Sequence, residues 1–444
     1  MSNTKFKFID LFAGVGGFHG AMHMLGGECV FASEIDANAV QTYENNWHMK
    51  VFGDINKYTD DCSKIPNHDV LCAGFPCQPF SKSGNQRGMN ETRGTLFFNI
   101  AKILEKKSPS LFILENVRNL AGPRHRHEWE TIILTLRGLG YAVNSKPLIV
   151  SPHLLPKKYG GRPQIRERVL ILGYKETASN TEHLVETSFR DNNKVLKTWS
   201  PQEWNLYDYV DSECSEKYLL SDSENEWLDV WNDFILAFYK QSDVASLPSF
   251  PIWFDDLVSV RKMEEKWEKE ISSKLMPKWK FGILAKNAEF YESNKQLIER
   301  WKERNPQIFD FPLSRRKLEW QAQDAKSLNE TIVHFRPSGI RAKKPTYAPA
   351  LVAITQTTVL GKERRRLTPR ETARLQAFPE WFSFSGQDDA ASYKQMGNAV
   401  NINIVYWAFK SFLNENLTSI QGSFPEVSTI LENAIDNPDD FMWK

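Results

Sequence analysis

This 444-residue chain has no long uncharged apolar run. It therefore offers no transmembrane helix, which needs about 20 consecutive apolar residues. Met1–Lys5 leads straight into a strand-like segment without the apolar stretch of a secretory signal. Cysteine is scarce and scattered: Cys29, Cys62, Cys72, Cys77 and Cys214, with no C-x-x-C pair. That spacing argues against a metal site or a disulfide framework, and for a reducing cytoplasm. Charge of one sign is missing too: the net value is +1. A nucleic-acid partner would have to find a local basic surface. The phosphate-cradling G-K-[ST] is absent, as are internal repeats and low-complexity tracts.

What is present is organised around Gly74-Phe-Pro-Cys-Gln-Pro-Phe-Ser81. The run from His68 to Ala73 before it reads as a buried strand, which Gly74 and Pro76 stop in a stiff loop. Cys77 thus stands at a strand's exit, where open α/β sheets place their ligands. A lone thiol there is a candidate nucleophile or simply a small buried hydrophobe.

Upstream, Phe6–Phe12 reads as a strand. Ala13-Gly14-Val15-Gly16-Gly17-Phe18 is a Gly-rich turn, and a helical pattern follows. Strand, turn and helix in this order bring backbone N–H groups up to a nucleotide-like ligand. A second strand, Glu28–Ser33, ends at Glu34, about 20 residues past the turn, where a ribose hydroxyl acceptor belongs. Asp36 reads as a helix N-cap. Asp54 ends a third segment, as an acceptor for an amino group or as a turn cap. The polar stretch 81–94 has few apolar anchors and reads as a mobile loop. Leu96–Leu104 is helical, and Ser110–Leu114 is a buried strand ending in Glu115-Asn116-Val117. Glu115 is a second ionisable group in the layer of Cys77, where an idle carboxylate would be costly. Gln164–Leu172 reads as a strand with Gln164, Arg166 and Arg168 on one face.

Beyond Tyr174 the composition shifts toward tryptophan and mixed charge. Helical stripes run through Trp227–Phe238, behind a capping box Ser223-x-x-Glu226, through Val260–Leu275, and through Phe290–Trp301. The acidic stretch 222–229 is expected to face away from any polyanion. Basic clusters at 336–344 and 362–366 flank a strand-like run at 349–355 and favour phosphate contact. Thr368-Pro369 opens a helix, and Gln395–Val400 precedes an apolar one, Ile402–Leu413.

In this order the segments resemble the C5-cytosine DNA methyltransferases. The likeness rests on Asp10–Phe18, Gly74–Ser81, Arg93–Phe98, Glu115–Val117, Gln164-x-Arg-x-Arg168, Arg366–Glu371 and Gly397–Val400. It implies a doubly wound, Rossmann-like α/β domain at 1–178 and 390–444, and a smaller target-recognition domain at 179–389, with DNA in the cleft between them. It implies S-adenosyl-L-methionine as cofactor, held by Phe12, Gly14, Gly16, Gly17, Phe18, Glu34, Ile35, Asp54, Ile55, Pro76, Leu96, Asn398 and Ala399, with Phe18 stacked on adenine.

Catalysis falls to Cys77, Glu115, Arg166 and Arg168. The Cys77 thiolate would add to C6 of a flipped-out cytosine. Glu115 would manage a proton at N3, and the arginines would hold O2 and depress the thiol pKa. Ser81, Ser83, Arg93, Arg336, Arg341, Lys343 and Arg364 would contact double-stranded DNA. The resemblance further implies a bacterial, cytoplasmic monomer paired with a cognate restriction endonuclease. Two rivals are a transfer-RNA cytosine-5 methyltransferase, whose Cys-Phe-Thr signature is missing, and a catalytically decayed DNA-binding protein. An amino-methyltransferase is disfavoured because no [DNS]-P-P-[YF] occurs.

Overall fold

The computed structural model describes residues 6–76, 96–176, 196, 203–241, 247–273, 275–351 and 357–443. Cys77, Ser81, Ser83 and Arg93, the loop 81–94 and most of the strand-like run at 349–355 lie outside them. The chain divides into two compact units.

The larger unit comprises 1–204, 349–354 and 369–444. Its strands are β1 (Lys7–Leu11), β2 (Glu28–Ser33), β3 (Val51–Phe52), β4 (Val70–Gly74), β5 (Leu111–Val117), β6 (Tyr141–Val143), β7 (Leu148–Val150) and β8 (Arg168–Lys175). They form one sheet in the order β3-β2-β1-β4-β5-β8-β6, with β7 also on β8. β1 to β5 are mutually parallel and β8 runs antiparallel to β5. The expected Rossmann-like, doubly wound sheet is what forms.

Both faces are covered, which is why the central strands read as unbroken apolar runs. Phe8, Val70, Cys72, Leu111 and Ile113 point to one face and pack with the helix Ile402–Glu415. Ile9, Leu11, Leu71, Ala73, Phe112 and Leu114 point to the other and pack with the helices Leu96–Lys107 and Arg126–Gly138.

The smaller unit comprises 205–348 and 355–368. It holds β9 (Ile252–Trp253), β10 (Lys317–Gln321), β11 (Ile332–Arg336), β12 (Gly339–Lys343), β13 (Val359–Leu360) and β14 (Arg365–Arg366), in the order β14-β13-β11-β12-β10-β9. The compact units divide near 204 and 369, where the sequence reading placed its boundaries at 178 and 389. The helix Pro369–Leu375 belongs with the large unit because it packs on Asp389–Asn398.

Other details differ from the sequence reading. The capping box of helix Asp222–Gln241 is Ser221 with Glu224, not Ser223 with Glu226: Ser221 N donates to Glu224 Oε2 (3.1 Å) and Glu224 N to Ser221 Oγ (3.3 Å). The stripe expected over 260–275 breaks at Trp267, whose indole, with Lys266, is fixed on Asp256. The next stripe breaks at Asn294, whose side chain donates to Phe290 O (2.9 Å). The strand expected from Gln164 starts only at Arg168.

Candidate active site

The carboxyl ends of β1, β2, β4 and β5 open onto a cavity of about 480 Å³, a size typical of small-molecule sites. Phe12, Gly14, Glu34, Ile35, Asp54, Ile55, Pro76, Leu96, Glu115, Arg168 and Asn398 all line it. One end is built for a polar ligand. Glu34 Oε2 accepts from Gly14 N (2.9 Å), and its Oε1 accepts from Ile35 N (2.7 Å) and Asp36 N (2.9 Å). The carboxylate is fixed yet keeps acceptor sites to spare, since an ionised carboxylate offers about four. Beside it Ile35 is 76 % exposed, an apolar surface that a flat ring would cover. Asp54 Oδ1 accepts from Asn56 N (2.9 Å) and Nδ2 (2.7 Å).

The glycines of the turn divide their work. Gly14, at φ +54°, has no atom of the described residues beyond its chain neighbours within 4 Å of where a Cβ would stand, and faces the cavity. Gly16, at φ +91°, would put a Cβ 2.1 Å from Trp47 Nε1, and Gly17 would put one 2.6 Å from Val400 O. These two are glycine so that protein can pack on protein. Neither lines the cavity.

The other end lies at β5. Glu115 is buried, and its Oε1 lies 2.8 Å from Arg168 Nε. Burial raises its pKa above the ordinary carboxylate value; the nearby charges of Arg168 and Arg166 pull it back in part. Gly74 leaves room beside it: a Cβ there would stand 3.5 Å from Glu115 Oε2 and 3.6 Å from the Phe18 ring. Asn116, a buried residue the sequence reading did not single out, donates Nδ2 to Phe75 O (2.8 Å). It fixes the backbone one residue short of Pro76-Cys77. Its place directly after Glu115 was the available signal. Asp36 caps the helix Ala37–Trp47 as expected, and also pairs with Lys394 (2.7 Å) at the cavity wall. Lys394 carried no sequence signal.

Three of the expected site residues are buried and outside this lining. Phe18 is 3 % exposed and packs in the core, with its ring edge 3.6 Å from where a Cβ on the cavity-lining Gly74 would stand. Arg166 is 2 % exposed and also lies outside the cavity lining. Its guanidinium donates to the carbonyls of Gly397 (2.8 Å), Ala399 (2.7 Å) and Leu351 (3.3 Å). It therefore clamps the turn that carries Asn398; with Glu115 and Arg168 it also lines a small cavity beside β8, and its charge pulls the Glu115 pKa down. Burial lowers its pKa to about 9, so it stays charged at neutral pH. Ala399 is buried and likewise absent from the lining.

In the smaller unit the residues expected on DNA are held by acids. Arg341 pairs with Glu319 (2.8 Å), and Arg336 lies 3.8 Å from the same carboxylate. Arg364 pairs with Asp229 (2.8 Å). The acidic stretch 222–229 thus faces the basic cluster, Arg366 being paired with Glu224 as well. Lys343 lies over the Tyr347 ring, and burial lowers its pKa. Among the described residues no group of three or more His, Cys, Asp or Glu could hold a metal, and no helix is long and apolar enough to cross a membrane.

Known proteins resemble this chain in sequence and in fold. The chain is 43 % identical to the Type II methyltransferase M.AluI of Cellulosimicrobium cellulans over 91 % of each protein. It is 29 % identical to the Type II methyltransferase M.HhaI of Haemophilus parahaemolyticus over 91 % of this chain and 93 % of that one. Among solved structures, Dnmt2 methyltransferase of S. pombe superposes with a TM-score of 0.51 at 14 % identity, covering 93 % of this chain and 99 % of that one, a likeness of fold. The family description "C-5 cytosine-specific DNA methylase" matches residues 6–414, and the chain belongs to that family.

Proposed function

We propose that this enzyme transfers a methyl group from S-adenosyl-L-methionine to C5 of a cytosine flipped out of a specific double-stranded DNA sequence. The observation that carries the reading is Glu115, a buried carboxyl poised to hold a proton and bound to Arg168. It opens onto the same cavity as the Gly14–Glu34 ligand end, beside the strand that leads into Cys77. The cavity residues suit the cofactor: Glu34 for the ribose hydroxyls, Ile35 for the adenine face, Gly14 for close backbone approach. When bound, the cofactor supplies an electrophilic methyl group on a sulfonium.

The protein's task is to make C5 nucleophilic. The Cys77 thiolate forms a bond to C6 while Glu115 supplies a proton to N3, leaving an enamine whose C5 takes the methyl group. A base removes the C5 proton, the C6–S bond breaks to restore the thiolate, and the N3 proton returns to Glu115. Arg168 holds Glu115 in place and would hold O2 of the base. The target base must leave the stack to be reached; Ser81, Ser83 and Arg93 would support that step. The smaller unit would read the sequence, and a restriction endonuclease of the same specificity would be the functional partner.

A duplex with 5-fluorocytosine at the target position tests the mechanism, because fluorine cannot leave as a proton does. With cofactor, the wild type is expected to stay covalently attached to the DNA and Cys77→Ala to bind without attachment. Absence of a trapped complex with the wild type, at a site shown by bisulfite sequencing to be methylated, removes the covalent route.

A further inference from the structure

The wall of the cofactor end is held by a side chain that never enters it. Trp47, at the end of the helix Ala37–Trp47, donates its indole N–H to Val15 O (2.9 Å). Val15 lines the cavity next to Gly14. The same indole fills the space a Gly16 side chain would need, and the His19 ring stacks on it at 4.5 Å and 20°. The position of Trp47 thus sets the position of the Gly-rich turn.

Trp47 is in turn braced from outside. The Trp443 ring lies 6.0 Å from it and the Trp381 ring 5.4 Å. Trp443 packs edge-on to Trp381 (5.7 Å, 71°) and to Phe441 (5.0 Å, 78°), and flat on His23 (5.8 Å, 7°). His23 belongs to the helix Gly17–Met24 that the turn opens. Trp443 therefore touches both the prop of the turn and the helix behind it. Such aromatic contacts contribute beyond the area they bury, and a packed ring passes displacement to its neighbour because interiors are dense.

We propose that Trp443 is a positioning residue for the cofactor pocket, acting through Trp47 on Val15 and Gly16. The proposal rests on the reading of the cavity as the methyl donor's site. It assigns the 441–443 segment a role in cofactor affinity, apart from DNA binding and chemistry.

The test uses the full chain and S-adenosylhomocysteine as the probe, titrated calorimetrically without DNA, with steady-state methylation alongside. Trp443→Ala is expected to weaken probe binding about tenfold, equivalent to about 1.4 kcal/mol. KM for the methyl donor should rise in step, with kcat at saturating donor and KM for DNA within about twofold of wild type. Trp443→Phe should restore most of the affinity. Trp47→Phe keeps the ring, removes the N–H to Val15 and should weaken the probe severalfold by itself. Unchanged probe affinity in a folded Trp443→Ala protein overturns the proposal, as does an equal rise in KM for donor and for DNA. If Trp443→Ala does not fold, unchanged affinity in Trp47→Phe overturns it. Failure of the wild type to bind the probe at all would instead overturn the reading of the cavity.

Discussion

Arg168 Nε stands 2.8 Å from Glu115 Oε1 because β8 runs antiparallel to β5. In that register Arg168 pairs with Val117, so the first residue of one strand meets the last of the other at the sheet's functional edge. Burial pushes the Glu115 pKa up and Arg168 holds it down. If protonated Glu115 serves N3, the rate should fall as pH rises through this raised pKa. Arg168→Gln removes the restraining cation, so the alkaline limb of kcat/KM should move to higher pH while the maximal rate drops. Glu115→Gln should lower kcat about 10²-fold or more with no loss of fold. A Glu115→Gln rate within threefold of wild type reduces Glu115 to a structural role. An unmoved limb in Arg168→Gln dissociates the pair from the pH profile.

Arg166 gives a different signature. It binds backbone carbonyls at 397, 399 and 351, and removing it leaves buried acceptors unpaired, each costing about 1–3 kcal/mol. Arg166→Met should therefore lower the urea midpoint sharply. Arg166→Lys keeps the charge but cannot reach two carbonyls from one planar group, and should cost less stability. A wild-type urea midpoint in Arg166→Met would mean that the clamp is dispensable.

The strands of the larger unit were legible because each central strand is buried on both faces and so reads as an apolar run between turn residues. Glu28–Ser33 matches its strand end to end. Much of the cavity lining was legible, at Gly14, Glu34, Asp54, Glu115 and Asn398. The face of Arg166 was not, because alternation is a property of strands, and the strand begins two residues later. The burial of Phe18 was not legible for a related reason: a residue next to a Gly-rich turn can point outward or into the core, and spacing does not distinguish them. In the smaller unit, apolar stripes showed which faces are buried but not where helices break, since the breaks depend on Asp256 and on the Asn294 side chain. The partners of the basic clusters were not legible either. Sequence shows the cations but not the acids that meet them: Glu319 lies close in sequence to Arg336 and Arg341 without a motif, and Asp229 is 135 residues from Arg364.

That pairing has a measurable consequence. A cation already neutralised by a carboxylate releases few DNA counterions on binding. Arg341→Gln and Arg364→Gln should each reduce the slope of log K against log salt by well under the unit of about 0.9 expected for a direct phosphate contact. Titration of a duplex between low and moderate salt measures it. A full unit lost in either variant would show that the ion pair opens on DNA.

Acid stability should be governed first by histidines. Burial pushes His19 and His334 down to about 3 and His153 to about 4, far below the ordinary 6.5. Below pH about 6.5 the unfolded chain takes up protons at these rings that the folded chain refuses, so the unfolded state binds more protons and stability falls as pH drops. Each ring contributes up to about 1.4 kcal/mol per pH unit between its two pKa values. The lowered carboxyls Asp36 and Glu380 lose their contribution at lower pH, below about 4.5. Asp10 and Glu115, whose pKa values burial raises, oppose the trend by gaining protons first in the folded state. Differences between variants separate these effects. His19→Gln should flatten the dependence of the larger unit's urea midpoint between pH 6.5 and 5, and His334→Gln should do so for the smaller unit. A slope as steep as that of the wild type in both variants would mean that these rings take up their protons in the folded state.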